Sequence, residues 1–219
     1  MRKLTFVAVT LVVVAAALGF AICYSLHHVV PQPESLVRTT TDRYFYASIE
    51  PEDATGIPYW TWLVLPRVFR EYLPATGGYT ALGMSWDEGR EMPAGFAKQR
   101  IGYVRVTGNC ALCHALSRPG GAGGVPQIIP SAPGQVTSIE PLLAFYRKCA
   151  ADPRFTADEI LAEIDTATPL SFTDRLLYRH ILIPRTRDAM LHADAKLLFG
   201  PTIRAHLRDP KRPMPPLVR

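Results

Sequence analysis

Cys110, Ala111, Leu112, Cys113 and His114 form a Cys-x-x-Cys-His run, a spacing suited to one kind of chemistry. Within one helical turn, residues three apart share a face, so both sulfurs can make thioethers to the two vinyl groups of one porphyrin. His114, beside the second sulfur, then lies under the iron and offers an imidazole nitrogen as the proximal axial ligand. Other uses of these residues fit less well. A structural zinc site takes four ligands, usually from two such knuckles, and no second Cys-x-x-Cys occurs. A thioredoxin-like pair sits in a βαβ pattern, and none surrounds this run. One covalent haem c per chain is implied.

The other side of the iron decides what such a centre does. A methionine or histidine in the sixth position fills the iron for electron transfer, whereas an open position admits peroxide or oxygen. Met190, 76 residues after His114, falls on an apolar helix face and is the first candidate for the distal ligand. Met92, Met84 and His180 are the others.

The elements that must position these groups follow from the rest of the chain. Its 219 residues suffice for one medium domain with appendages. The formal net charge is +5, and subtracting Arg2 and Lys3 leaves +3 for the remainder. That excess gathers late, in Arg204, Arg208, Lys211, Arg212 and Arg219, and gives a mild bias toward acidic partners or anionic lipid. A basic tail without interleaved aromatics or a recognisable module speaks against nucleic-acid binding. With Cys110 and Cys113 committed to haem, Cys23 lies in the apolar N-terminal run and Cys149 reads as a lone buried thiol. No structural disulfide is expected.

Residues 4 to 26 are apolar apart from Thr5, Thr10 and Ser25, and follow the basic Met1-Arg2-Lys3. The run has the length of a transmembrane helix and no good small-x-small cleavage site. An uncleaved single-pass anchor is expected over 1–30, with a cleaved signal peptide as the alternative. The positive-inside rule places Arg2 and Lys3 in the cytoplasm and the rest outside. His27 and His28 end the anchor, and 31–41 reads as a linker. A haem domain is expected over 42–200, and a proline-rich basic tail over 201–219.

Within the domain, Pro58 to Leu73 reads as a buried helix kinked or broken at Pro66, and Trp86 to Arg90 as a short helix. Ile101 to Val106 alternates like a strand, and the glycines of 118–126 allow a close approach to a flat ligand. The last third is helical. Ser138 caps a helix bearing Ile139, Leu142, Leu143, Tyr146 and Cys149 on one side, and Thr156 to Glu159 is a capping box before Ile160, Leu161 and Ile164. Phe172 to Ile183, with Leu176, Leu177, His180 and Ile181 on one side, is stopped by Pro184. Arg187 to Phe199 follows, ended by Gly200.

The run from Gly56 to His114 carries Gly-Ile-Pro-Tyr-Trp, Leu-Pro-Arg-Val-Phe, Met-Pro-Ala-Gly-Phe and Ile-Gly-Tyr-Val-Arg-Val-Thr-Gly-Asn-Cys-Ala-Leu-Cys-His. With the later Cys-Ala-Ala-Asp-Pro-Arg-Phe and Ile-Leu-Ile-Pro-Arg-Thr-Arg, it resembles the first haem region of large bacterial c-type cytochromes. These are similar to rubber oxygenase and, more distantly, to dihaem cytochrome c peroxidases. Such proteins carry a second Cys-x-x-Cys-His in a C-terminal half, which these 219 residues do not contain. Only Cys110, Cys113 and His114 carry over.

The expected fold is mainly α, a cytochrome c-like helical haem domain with irregular loops, preceded by one transmembrane helix. The expected function is electron transfer by a monohaem c-type cytochrome on the periplasmic side of a bacterial inner membrane. Its partners would be redox proteins of the periplasm or inner membrane, and membrane lipid through the anchor. The alternatives are a haem peroxidase or oxygenase-like enzyme with an open sixth position, and a small haem subunit of a larger membrane complex.

Overall fold

A computed structural model describes residues 2–30, 39–48, 56–87, 89–118, 127–130 and 139–192. The linker at 31–38, the glycines of 119–126, Ser138, residues 193–200 and the tail 201–219 lie outside the described residues. Helix predominates, with a smaller share of sheet. The chain divides into two compact units, Met1–Leu63 with Tyr79–Ser138, and Val64–Gly78 with Ile139–Arg219.

The first unit begins with α1 (Arg2–His27). Its described apolar side chains, among them Phe6, Leu11, Val12 and Phe20, are exposed. Among the described residues no helix is long and apolar enough to cross a membrane.

Beyond β1 (Val29–Val30) comes α2 (Thr40–Tyr46), opened by a capping box in which Thr39 Oγ1 accepts from the Asp42 N–H at 3.0 Å and Asp42 Oδ2 accepts from the Thr39 N–H at 3.1 Å. Helix thus starts inside the stretch read as linker. Next are β2 (Ile57–Pro58) and α3 (Tyr59–Val68), then β3 (Phe96–Ile101) and β4 (Tyr103–Gly108). The order β1-β3-β4-β2 is antiparallel throughout. Gly102, at φ +70°, makes the sharp corner that pairs Ile101 with Tyr103. The strand read at 101–106 is thus the end of one strand, a corner and most of the next. Trp62 and Tyr79 stack at 4.3 Å between centroids and 8° between planes, with Phe96 beside them, in the unit's core.

Two local expectations are corrected. No helix forms over Trp86 to Arg90 among the described residues. A turn stands there instead, with the Arg90 N–H on the Asp87 carbonyl at 3.2 Å, Trp86 Nε1 donating to the Arg90 carbonyl at 2.8 Å, and Gly89 at φ +76°. Nor does Pro66 break its helix, which runs to Val68. Proline at 66 cannot donate to the Trp62 carbonyl, and the hydroxyl of Tyr79 donates to that carbonyl instead, at 2.7 Å.

The first unit also holds the short α4 (Ala111–His114); the second takes the end of α3 and adds α5 (Ile139–Ala151), α6 (Ala157–Ala167), α7 (Phe172–Leu177) and α8 (Ile183–Leu191). Leu142, Phe145, Tyr146 and Cys149 of α5 point inward at helical spacing, and Thr156 caps α6 by accepting the Glu159 N–H at 3.3 Å over buried Ile160, Leu161 and Ile164; its own N–H donates to the Arg154 carbonyl at 2.7 Å, so the cap forms without the reciprocal half of the expected capping box. Phe69 stacks on Phe155 at 5.8 Å, both fully buried. Arg187 of α8 donates to the carbonyls of Ala150 (2.8 Å) and Asp152 (3.3 Å), giving donors to the end of α5.

Pro184 does not stop the helix either. A π turn over Tyr178–Leu182 joins α7 to α8, with the Ile183 N–H reaching back five residues to the Tyr178 carbonyl. Widening by one residue is how a helix accommodates a proline it would otherwise reject. The buried residues Tyr178, Leu182, Ile183, Thr186 and Met190 hold the path.

Candidate functional site

The Cys-x-x-Cys-His residues follow β4 directly. Cys110 stands at the N-terminus of a single helical turn, α4 (Ala111–His114), which leads into the hairpin of β5 (Ala115–Arg118) and β6 (Gln127–Pro130). The sulfurs are thus presented from the end of a β-hairpin, in a unit with more sheet than the expected helical haem domain.

The turn is sorted by face. Ala111 and Leu112 are buried, Cys110 and His114 are exposed, and Cys113 is half-buried. Ala111 joins Phe45, Tyr46, Ala94 and Ala115 in an apolar cluster, with Tyr44 and Ile128 against it. Because Ala111 and Leu112 take the inward side, the two cysteines and the histidine are left to the other. Both thiols are free. Burial raises the pKa of Cys113, and the neighbouring Cys110 adds to the shift.

Three residues that the sequence reading passed over fix the turn. Asn109, 6% exposed, accepts the Ala111 N–H on its side-chain oxygen at 2.9 Å and donates its amide to the carbonyls of Phe45 (3.1 Å) and Ala47 (3.0 Å). Gly95, at φ +91°, lies so close to Leu112 that no side chain fits between them. Tyr44 donates its hydroxyl to the His114 carbonyl at 2.9 Å. The available signal was Asn109 itself, since asparagine before a helical turn commonly bonds the backbone two residues on.

Beside this cluster, Tyr46 donates to Asp87 at 2.5 Å, and Arg90 covers its ring at 4.7 Å while pairing with Asp42. Burial, and then the bond to Asp87, pushes the Tyr46 hydroxyl well above its ordinary pKa, so it stays protonated.

The candidates for the sixth position are spread over both units. Met84 and Met92 are buried in the first, with Cys110, Cys113 and His114. Met190 is buried in the second, and His180 of that unit is exposed on the π turn. The reading of His180 as part of an inward helix side is therefore corrected, because the π turn changes the register between Leu177 and Ile183. Among the described residues no group of three or more His, Cys, Asp or Glu is placed to hold a metal ion.

The donor set fits a haem. Two free thiols and one imidazole share a turn whose other residues face the core, as thioether attachment with one axial ligand requires. No protein-family model matches the chain, and no curated protein or solved structure matches it.

Proposed function

We propose that this chain is a membrane-anchored, monohaem c-type cytochrome that transfers electrons on the periplasmic side of a bacterial inner membrane. The observation that carries the proposal is that one turn exposes Cys110 and His114 and leaves Cys113 half-buried while Ala111 and Leu112 are buried. Cys110 and Cys113 would hold the porphyrin through their sulfurs, and His114 would be the proximal ligand. A haem bound there supplies one-electron iron chemistry. Asn109, Gly95 and Tyr44 keep the turn in place, so its geometry does not depend on a four-residue helix that could not persist alone.

The anchor is supported by the basic start, the apolar run over residues 4–26 and the exposed apolar side chains of α1. Lipid is the surrounding in which such a surface is stable. Electron transfer is favoured over peroxide or oxygen chemistry because the one attachment run at Cys110–His114 supplies one iron, and a single iron is enough to carry one electron at a time. The test is the visible spectrum of the reduced protein with and without carbon monoxide, together with turnover on peroxide. An electron carrier gives a ferrous spectrum barely changed by carbon monoxide, fast exchange with redox dyes and little peroxide turnover. Rapid carbon monoxide binding with substantial peroxide turnover would assign the chain to the open-site enzymes.

A further inference from the structure

A helix of four residues has no stability of its own, because one turn fixes several dihedrals for a single hydrogen bond. Yet α4 must be helical for Cys110 and Cys113 to share a face, so something outside it sets its shape. Asn109 supplies that constraint. Its side chain makes two donations, to the ends of α2 at the Phe45 and Ala47 carbonyls, and accepts one bond, from the Ala111 N–H. Its backbone N–H donates to the Gly95 carbonyl at 2.8 Å, and its carbonyl accepts from the Leu112 N–H at 3.1 Å. The Phe45 carbonyl also receives the Gly95 N–H at 2.9 Å. The Asn109 side chain thus joins the end of α2 to α4, while its backbone ties the same residue to Gly95, just before β3.

The residue type is specific to this task. Only a carboxamide offers two donors and an acceptor at this reach; aspartate loses both donors, serine offers one, and alanine none. We propose that Asn109 is the positioning residue of the attachment turn, holding Cys110, Cys113 and His114 in their outward arrangement before any haem is joined. The geometry stands by itself, and its consequence for haem rests on the function proposed above.

The test uses the full chain as wild type, Asn109→Ala and the near-isosteric Asn109→Asp. Made without a haem-attachment system, each protein is labelled briefly with a maleimide in the native state, and the Cys110 and Cys113 peptides are compared by mass spectrometry. Amide exchange is read over 96–114 in the same samples. Wild type should label the exposed Cys110 several-fold faster than the half-buried Cys113 and protect the Leu112 amide. Both variants should lose this contrast and this protection while the amides of Phe96 to Ile101 and the near-ultraviolet signal of the aromatic core persist. Made with an attachment system, they should carry several-fold less covalent haem than wild type.

Unchanged labelling, exchange and haem content in both variants would overturn the inference. So would loss of the whole aromatic signal in both, since Asn109 would then be a general core residue. A wild type that takes up no haem, with the labelling and exchange effects intact, would refute the proposed function and leave the positioning role standing.

Discussion

Gly95 and Leu112 approach so closely that a Cβ added at residue 95 would lie 2.4 Å from both the backbone nitrogen and the Cα of Leu112. Real Cβ atoms do not occupy such a separation, and φ +91° disfavours any L side chain. Gly95→Ala therefore forces the attachment turn away from β3 or strains both. The expected loss is about 3 kcal/mol or more, from backbone strain and overpacking together. Denaturant unfolding followed through the tryptophans checks it; a change below about 1 kcal/mol, within the range of an ordinary surface substitution, would mean that the two segments can part freely.

Tyr79→Phe tests how α3 carries Pro66. The substitution keeps the ring stacked on Trp62 but removes the donor from a buried carbonyl, which costs about 1–3 kcal/mol. In a Pro66→Ala background the helix regains its own N–H for that carbonyl, so the same substitution should cost distinctly less. A double-mutant cycle with no coupling would contradict the substitution of the tyrosine hydroxyl for the missing amide.

Asp152 should give the second unit an acid dependence. Arg154 foremost, and then Tyr72, whose hydroxyl donates at 2.7 Å, hold its carboxyl well below the usual carboxylate range. A depressed folded value means that the stabilisation is present above the unfolded pKa of about 3.9 and is lost as pH falls through it toward the folded value. The melting temperature should therefore drop as pH is lowered below about 5. Asp152→Asn should lower the melting temperature at pH 7 and flatten the acid slope. Glu71, held down first by its own backbone N–H and then by Arg154, leaves a residual slope. An unchanged slope in Asp152→Asn would show that the group does not titrate differently in the folded state.

The anchor makes its own demand. Cell fractionation should place the chain in the membrane pellet, released by detergent and not by salt, and mass spectrometry should find its N-terminus at Met1 or next to it. A mature start beyond Leu26 would replace the anchor by a cleaved signal.

What the sequence revealed depended on how local the cause was. The placement of Cys110, Cys113 and His114 on one short helical turn, the N-cap at Thr156, and Leu142, Tyr146 and Cys149 on the inward face of α5 are patterns within a few residues, and they were readable; Phe145, buried on the same helix, was missed. Phe96 to Ile101 was missed as a strand because Lys98, Gln99 and Arg100 interrupt its apolar residues, and its place is set by pairing with β4. Pro66 was read as a kink or break and Pro184 as a stop, from a rule about isolated helices. The first is carried by a tyrosine 13 positions on, and the second by a widened turn within a buried face. Gly95 acts on Leu112, far along the chain, so nothing in its neighbours announced it; Asn109 left a local signal in its bond to the Ala111 N–H, but its two donations to Phe45 and Ala47 are long-range. Met190 was placed on an apolar face and is indeed buried, which by itself describes a core methionine as well as a ligand.

The central claim is tested most directly by asking whether haem is covalently attached at Cys110 and Cys113. The full chain, produced with a cytochrome c maturation system, should keep a haem stain on a denaturing gel and give one haem per chain by pyridine haemochrome spectrum. The Cys110→Ala/Cys113→Ala double variant should lose the stain. A wild-type chain that carries no covalent haem under these conditions, or a double variant that keeps it, would contradict the account.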